Sequence, residues 1–281
     1  MMGDTMNVDL PYFDQILEVF ERSPDAPISK AMMRHVHWGF YDPLIAAPSA
    51  AECVAAAEAM TVKLCSAARA GNGLRILDVG CGFGGTIAHL NEHYSGCELV
   101  GLNIDQRQID LARKWVIARP GNTVKFVCGD ACALPFADAS FDVVTAVECI
   151  FHFPSRRTFF NEARRVLRPG GTLTLSDFVV DGDKVDEMAE WTEVHGTNNF
   201  YGVKSAALCT GTYARVARNT GFKVLADEDI TAATMPTYPG LKAMFVDAGL
   251  SDGVTATAYL EELSKRGFFQ YRILSFEAKT A

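Results

Sequence analysis

The segment LRILDVGCGFGG, residues 74–85, constrains the fold more than any other part of the chain. A short run of branched apolar residues enters a loop with glycines at 80, 82, 84 and 85. The run has the length of a buried strand. Gly80 and Gly82 let the backbone turn tightly, with no Cβ between it and a ligand. Residues 86–93 then read as a helix, whose first unpaired N–H groups face the loop. Strand, glycine turn and helix N-terminus together form half of a ligand-binding α/β unit. Gly80, Gly82 and Gly85 also satisfy GxGxxG, so on this loop alone a dinucleotide site remains an alternative.

The same alternation continues downstream. CELVGLNI, TVKFVCGD and FDVVTAVE read as further strands, with a helix at 106–116 after the first of them. A helix at 158–167 is stopped by the RPGG turn at 168–171, and a fifth strand runs to Val180. Strands rich in Val, Ile and Leu, alternating with helices, predict a parallel sheet covered on both faces. Later come a helix at 212–219, a sixth strand from Phe222, a largely helical stretch at 240–265 and a last strand at 268–278. Upstream, residues 1–10 carry no pattern. Residues 11–21 form an amphipathic stripe with Pro11 in its first turn, broken by Pro24 and Pro27. The run RHVHWGFYD is irregular, and the alanine-rich 49–70 is helical. The chain therefore divides into an N-terminal arm and cap (1–70), a binding core (71–180), a lid (181–211) and the rest of the core with further lid helices (212–281).

Composition narrows the function. With 26 Lys and Arg against 34 Asp and Glu, the net charge is −8, which repels a phosphate backbone and argues against a nucleic-acid substrate. No stretch approaches the roughly 18 apolar residues of a membrane span, and no signal peptide is apparent. The 8 cysteines show no CxxC spacing and read as buried apolar residues in a reducing, cytoplasmic setting. His35 and His37 lack companion ligands at recognisable spacing, so no metal site is expected.

Several side chains converge on the C-terminal sheet edge, where open α/β sheets bind ligands. Asp78 ends the first strand and is placed to reach an ammonium or order the glycine loop. Asn103 ends the second, at the ribose-reading position. Asp130 ends the third and can accept from an exocyclic amine, while the Ala131 N–H faces an adenine edge. The fourth strand delivers Val147 and Glu148.

Taken together, DVGCGFGG, GLNIDQRQIDLARK, GDACALPFADASFDVV and RRVLRPGGTLTLSDF resemble the motifs of class I S-adenosylmethionine-dependent methyltransferases, closely over about residues 74–178, with RNTGFK in support. The resemblance implies a Rossmann-like α/β fold: a seven-stranded sheet with an antiparallel last strand, helices on both faces, an N-terminal helical arm and a helical lid. It implies that Gly80, Gly82 and Gly84 line the methionine moiety, that Asp130 and Ala131 hold the adenine, and that Gln108 matches a glutamine of small-molecule members. Asn103 departs from the Asp or Glu common there, leaving the ribose an uncharged partner with help from Asp105 or Gln108. HVHWGFYD is similar to a segment that closes over the donor in tocopherol and natural-product methyltransferases. That likeness implies a cap of His37, Trp38, Gly39 and Tyr41, joined by Tyr12, whose aromatic faces attract a sulfonium.

Methyl transfer from a sulfonium needs alignment and exclusion of water, and a base only if the nucleophile must lose a proton. His152, in ECIFHF beside the expected methyl position, is the leading base candidate. Asp177 is expected to orient it or bind the acceptor, and the two resemble a pair in small-molecule sugar O-methyltransferases. His195, in the lid with Trp191, Phe200 and Tyr201, is a second candidate. The expected acceptor is a small aromatic or amphiphilic secondary metabolite. O-methylation leads, C-methylation of an isoprenoid or electron-rich ring follows, and N-methylation is third. A non-catalytic scaffold is the alternative outside catalysis. The Pro24–Pro27 connection lets the first helix cover its own site or reach a neighbouring subunit of a homo-oligomer.

Overall fold

The structure, a computed structural model, describes residues 11–196, 200–201 and 209–280. The patternless start at 1–10 and the parts of the expected lid at 197–199 and 202–208 lie outside the described residues.

Three helices precede the sheet: α1 (Pro11–Arg22), α2 (Pro27–Met32) and α3 (Ala50–Ala67). α2 corrects the sequence reading, which treated Pro27 only as a breaker. Ala26 is extended and Pro27 takes the first helical turn, where its missing N–H leaves nothing unpaired. α3 opens on a reciprocal cap, in which Ser49 Oγ accepts from the Glu52 N–H and the Glu52 carboxylate accepts from the Ser49 N–H.

The core alternates as expected: β1 (Arg75–Val79), α4 (Gly85–His93), β2 (Glu98–Asn103), α5 (Gln106–Trp115), β3 (Thr123–Cys128), β4 (Phe141–Val147), α6 (Arg156–Val166) and β5 (Leu167–Val180). The expected RPGG turn is absorbed into β5. Leu167 pairs with Phe141 and the next pair is Thr172 with Val143, so residues 168–171 bulge out, with Gly170 at φ 79°. There follow α7 (Val185–His195), α8 (Thr212–Asn219), β6 (Phe222–Asp229), α9 (Thr231–Thr234), α10 (Thr237–Ala248), α11 (Ser251–Lys265) and β7 (Phe269–Ala278). The single late helix read from sequence is two, because Gly249 caps α10 in the left-handed region at φ 73°.

The seven strands lie in the order β3-β2-β1-β4-β5-β7-β6, parallel except for β7, which runs antiparallel to both β5 and β6. β1 is followed by α4 toward β2 on one side and borders β4 on the other. Strand order thus reverses beside β1, and a crevice opens at its C-terminal end. Leu77, Val144, Leu173 and Leu175 are fully buried at the sheet centre. A separate apolar cluster joins α1 and α2 to α10 and α11 above that edge, through Phe13, Ile16, Tyr238 and Phe245. The arm therefore folds over the crevice of its own chain. Among the described residues no helix is long and apolar enough to cross a membrane.

Leu175→Ala, at a fully buried position of β5, should lower stability in urea unfolding by about 2–5 kcal/mol, through lost burial and the cavity left behind. A loss below about 1 kcal/mol would show that this sheet centre is not tightly packed.

Candidate active site

The crevice holds a cavity of about 350 Å³ whose floor is built from strand ends. Asp78, Asn103, Asp130, Ala131 and Glu148 all line it, as do Gly80, Gly82 and Gln108. Gly80 has φ 68°, and a Cβ there would lie 2.5 Å from Cys149 Cβ. Gly82 has φ 53°, but a Cβ would meet only Gln108 Oε1 at 3.9 Å, so it would project into the open space of the cavity. Gly84 is placed differently from the sequence reading. It is the left-handed N-cap of α4, backs onto Phe126 and does not line the cavity, whereas Gly85 does.

Gln108 is 1% exposed. Its Oε1 accepts from Asn103 Nδ2 at 2.8 Å, and Asn103 Oδ1 accepts from the Ile104 N–H. Asp105 caps α5 and pairs with Arg107 without lining the cavity, so Gln108 is the one of the two expected helpers that reaches the site. Asp130 accepts from the Cys132 N–H at 2.8 Å, which fixes the loop that presents Ala131. Asp78 is 2% exposed and accepts from Thr145 Oγ1 at 2.7 Å. Burial pushes its carboxyl up to about 7, against the pull of Thr145 and Thr86.

The arm forms the roof. Tyr12, Phe13, Arg34, His35, Val36 and His37 line the same cavity. His37 contacts His35 Nδ1, Thr61 Oγ1 and the Trp38 carbonyl, and burial holds its imidazole down at about 3. A group that the sequence did not reveal fastens this roof. Glu58 of α3 receives Arg34 and His35 on Oε2, at 3.0 and 2.8 Å, and His89 of α4 on Oε1 at 2.6 Å. Glu58, His89 and His93 are close enough together to hold a metal ion. Arg34 already occupies the carboxylate, and a guanidinium there opposes a second cation.

A second cavity of about 240 Å³ adjoins the first and shares Tyr12, Val36, Glu148 and His152 with it. Its other walls are mostly apolar or aromatic: Trp38, Phe151, Phe178, Tyr201, Phe245 and Leu260. Trp38 therefore faces this second space and does not line the first. Phe245, Leu260 and Phe269 were not read as site residues, because a late helix or strand position gives no local sign of which cavity it faces. His152 ends a short 3₁₀ turn (Ile150–His152), with Nε2 3.5 Å from Tyr12 Oη. Glu148 has φ 45°, unusual for a residue with a side chain. Its carboxylate accepts from the Trp38 N–H at 2.6 Å and from Tyr271 Oη, and its own N–H donates to Ser176 Oγ. Burial pushes the Glu148 carboxyl up to about 8, opposed by the Tyr271 and Trp38 hydrogen bonds.

Two expected catalytic groups do not reach either cavity. Asp177 is fully buried behind the wall of the second cavity, where it pairs with Arg156 at 3.2 Å and accepts from Tyr213 Oη. It lies at the expected sheet edge, but its side chain is fully buried and its partners are Arg156 and Tyr213. His195 is exposed at the end of α7, stacked on Trp191 with Nδ1 2.8 Å from the Trp191 carbonyl oxygen.

The nucleotide-sized space, the glycine whose Cβ would fill it and the buried amide pair fit S-adenosylmethionine. Gly82→Ala should cut affinity for the product S-adenosylhomocysteine by at least about tenfold in titration calorimetry, while stability falls by only about 1 kcal/mol for the left-handed Ala. Equal affinity would place the cofactor elsewhere. The raised carboxyls also set a pH trend. Asp78 and Glu148 keep protons in the folded state that the unfolded chain releases above about pH 4–4.5. Stability of the unliganded protein should then decline as pH rises from that range toward about 7 and about 8, and Glu148→Gln should flatten the upper part. Thermal melts at pH 5–9 with an unchanged slope in the variant would remove Glu148 as the cause.

Residues 77–175 match the family model of the methyltransferase domain. The chain is 33% identical to methyltransferase GfsG of Streptomyces halstedii over 83% of its own length and 79% of that protein's. It is 29% identical to O-methyltransferase resE of Aspergillus sclerotiorum over 84% and 89%. It is 33% identical to sterol 24-C-methyltransferase erg6 of Schizosaccharomyces pombe over 59% and 44%, so it spans under half of that enzyme. The fold is shared with the cyclopropane synthase MmaA2 from Mycobacterium tuberculosis, at TM-score 0.75, 15% identity and coverage of 96% and 100%. Sequence similarity along most of both chains, added to the strand order and the glycine-loop cavity, makes this chain a member of the class I S-adenosylmethionine-dependent methyltransferases.

Proposed function

We propose that the protein O-methylates a small, largely apolar metabolite, with His152 as general base. The observation that carries this reading is the position of His152 at the neck between the two cavities, which the transferred methyl must cross. The bound cofactor supplies an activated methyl group, positively charged before transfer and lost in line to the nucleophile. The chain's residues do the remaining work. Asn103, Gln108, Asp130 and Ala131 hold the nucleoside end, and the glycine loop holds the amino-acid end. Tyr12, His37 and the arm exclude water. An acceptor hydroxyl in the second cavity gives its proton to His152 as oxygen approaches the methyl. Asp177 is a positioning residue for Arg156: with the carboxylate behind it, Arg156 brings little net charge to the acceptor wall. That favours a neutral acceptor. Eight free cysteines support a cytoplasmic, reducing setting.

C-methylation is a second reading, favoured by the aromatic walls. Trp38, Phe151, Phe178 and Tyr201 surround the acceptor space, and such faces stabilise a developing carbocation. The sterol methyltransferase among the relatives is a C-methylating enzyme by name.

The test is methyl transfer from isotope-labelled cofactor to a panel of phenols, hydroxylated macrocycles and isoprenoids, with His152→Ala in parallel. O-methylated product, with a rate about 10²–10⁴-fold lower in the variant at unchanged S-adenosylhomocysteine affinity, is the expected result. A C-methylated product selects the second reading. An O-methylated product formed at full rate by the variant removes His152 as the base.

A further inference from the structure

We propose that Glu148 is the residue by which the site distinguishes the cationic sulfonium cofactor from its neutral thioether product. Among the described residues, the cofactor and acceptor cavities share only Tyr12, Val36, Glu148 and His152. A methyl that leaves one cavity for the other starts at this neck, so the sulfonium must sit against these four side chains. Val36 is apolar, His152 is neutral or cationic, and burial pushes the Tyr12 phenol well above its usual range. Glu148 alone among them can offer the sulfonium a full negative charge.

Among the described residues, the groups facing Glu148 supply no fixed positive charge that would balance its carboxylate before the cofactor arrives. Tyr12 of α1, Tyr201, Tyr238 of α10 and Tyr271 of β7 surround it, with Cys149 and His152 from its own loop and Asp177 from β5. All are neutral or acidic except His152 when protonated. Arg156 lines the acceptor cavity but is paired with Asp177. Among the described residues no Lys or Arg is hydrogen-bonded to Glu148. The carboxylate is nonetheless held in one place by the Trp38 N–H and Tyr271 Oη. Its backbone sits at φ 45°, a conformation that costs energy and persists only where surrounding structure enforces it.

In the unliganded protein, burial favours the protonated acid. A sulfonium at the neck favours the carboxylate, so cofactor binding expels one proton from Glu148. Once the methyl has left, the thioether is neutral, and Glu148 takes a proton back. Between cofactor and product the site thus changes its affinity through one titrating group, which helps release the product. The inference concerns the donor alone and holds whichever acceptor atom is methylated.

Titration calorimetry tests it, with S-adenosylmethionine and S-adenosylhomocysteine, in buffers of different ionisation enthalpy. The two ligands share nucleoside and amino-acid groups, so their difference reports the sulfonium. At pH 7 the wild-type protein should release more protons with the sulfonium than with the thioether, and sulfonium affinity should rise with pH up to about 8. Glu148→Gln should abolish the extra release and lower the ratio of the two affinities by at least about tenfold, with thioether affinity little changed. A variant that loses affinity for both ligands equally would make Glu148 a packing residue. If the variant does not fold, the wild-type comparison still decides: equal proton release for both ligands overturns the proposal.

Discussion

The Glu58 carboxylate is the joint on which the site depends. It lies on α3, outside the cofactor cavity, and gathers Arg34 and His35 from the arm together with His89 from α4. Hydrogen bonds from His35 and His89, with the Arg34 guanidinium, hold it ionised well below the usual carboxylate range. Burial pushes the His35 imidazole down, against the pull of Glu58, and the Arg34 guanidinium, which also reaches Glu92 of α4, supplies the permanent positive charge. The consequence is geometric. The arm is drawn so close to the glycine-loop helix that a Cβ on Gly85 would lie 2.1 Å from the Arg34 carbonyl oxygen. That contact sets Arg34 and His35 among the residues that roof the strand ends.

The sheet supplies the other half of the enclosure. Because strand order reverses beside β1, the loops after β1 and β4 diverge, and the space between them admits a ligand. β4 ends at Val147, and the strained Glu148 lies at the neck between the two cavities. β7 returns antiparallel beside β5, which places Tyr271 against Glu148 and Phe269 against the second cavity. One antiparallel strand thereby links the neck between the two cavities with the late helices that wall the second.

Much of this was legible in the sequence, for a definite reason. The donor floor is local: each of its residues sits at a strand end or in the loop that follows, and strand ends are marked by apolar runs and glycines. Asp78, Gly80, Gly82, Asn103, Asp130 and Glu148 were identifiable on that ground. Errors arose where a side chain's direction depends on packing. Asp177 lies at the expected sheet edge but points into the core toward Arg156 and Tyr213. Gly84 has the backbone freedom expected of it, but it serves helix packing against Phe126.

The sequence by itself determined the element order, the glycine loop, the family and which strand-end residues meet at the floor of the first cavity, because local periodicity and short motifs encode them. Only the tertiary structure decided what closes and divides the site. The Glu58 joint, the Trp38 ring in the second cavity, the burial of Gln108 and the meeting of Glu148 with Tyr271 each join residues distant in the chain. Such contacts arise from the packing of α1, α3, β4 and β7 against one another, and no periodicity within any one of those segments carries them.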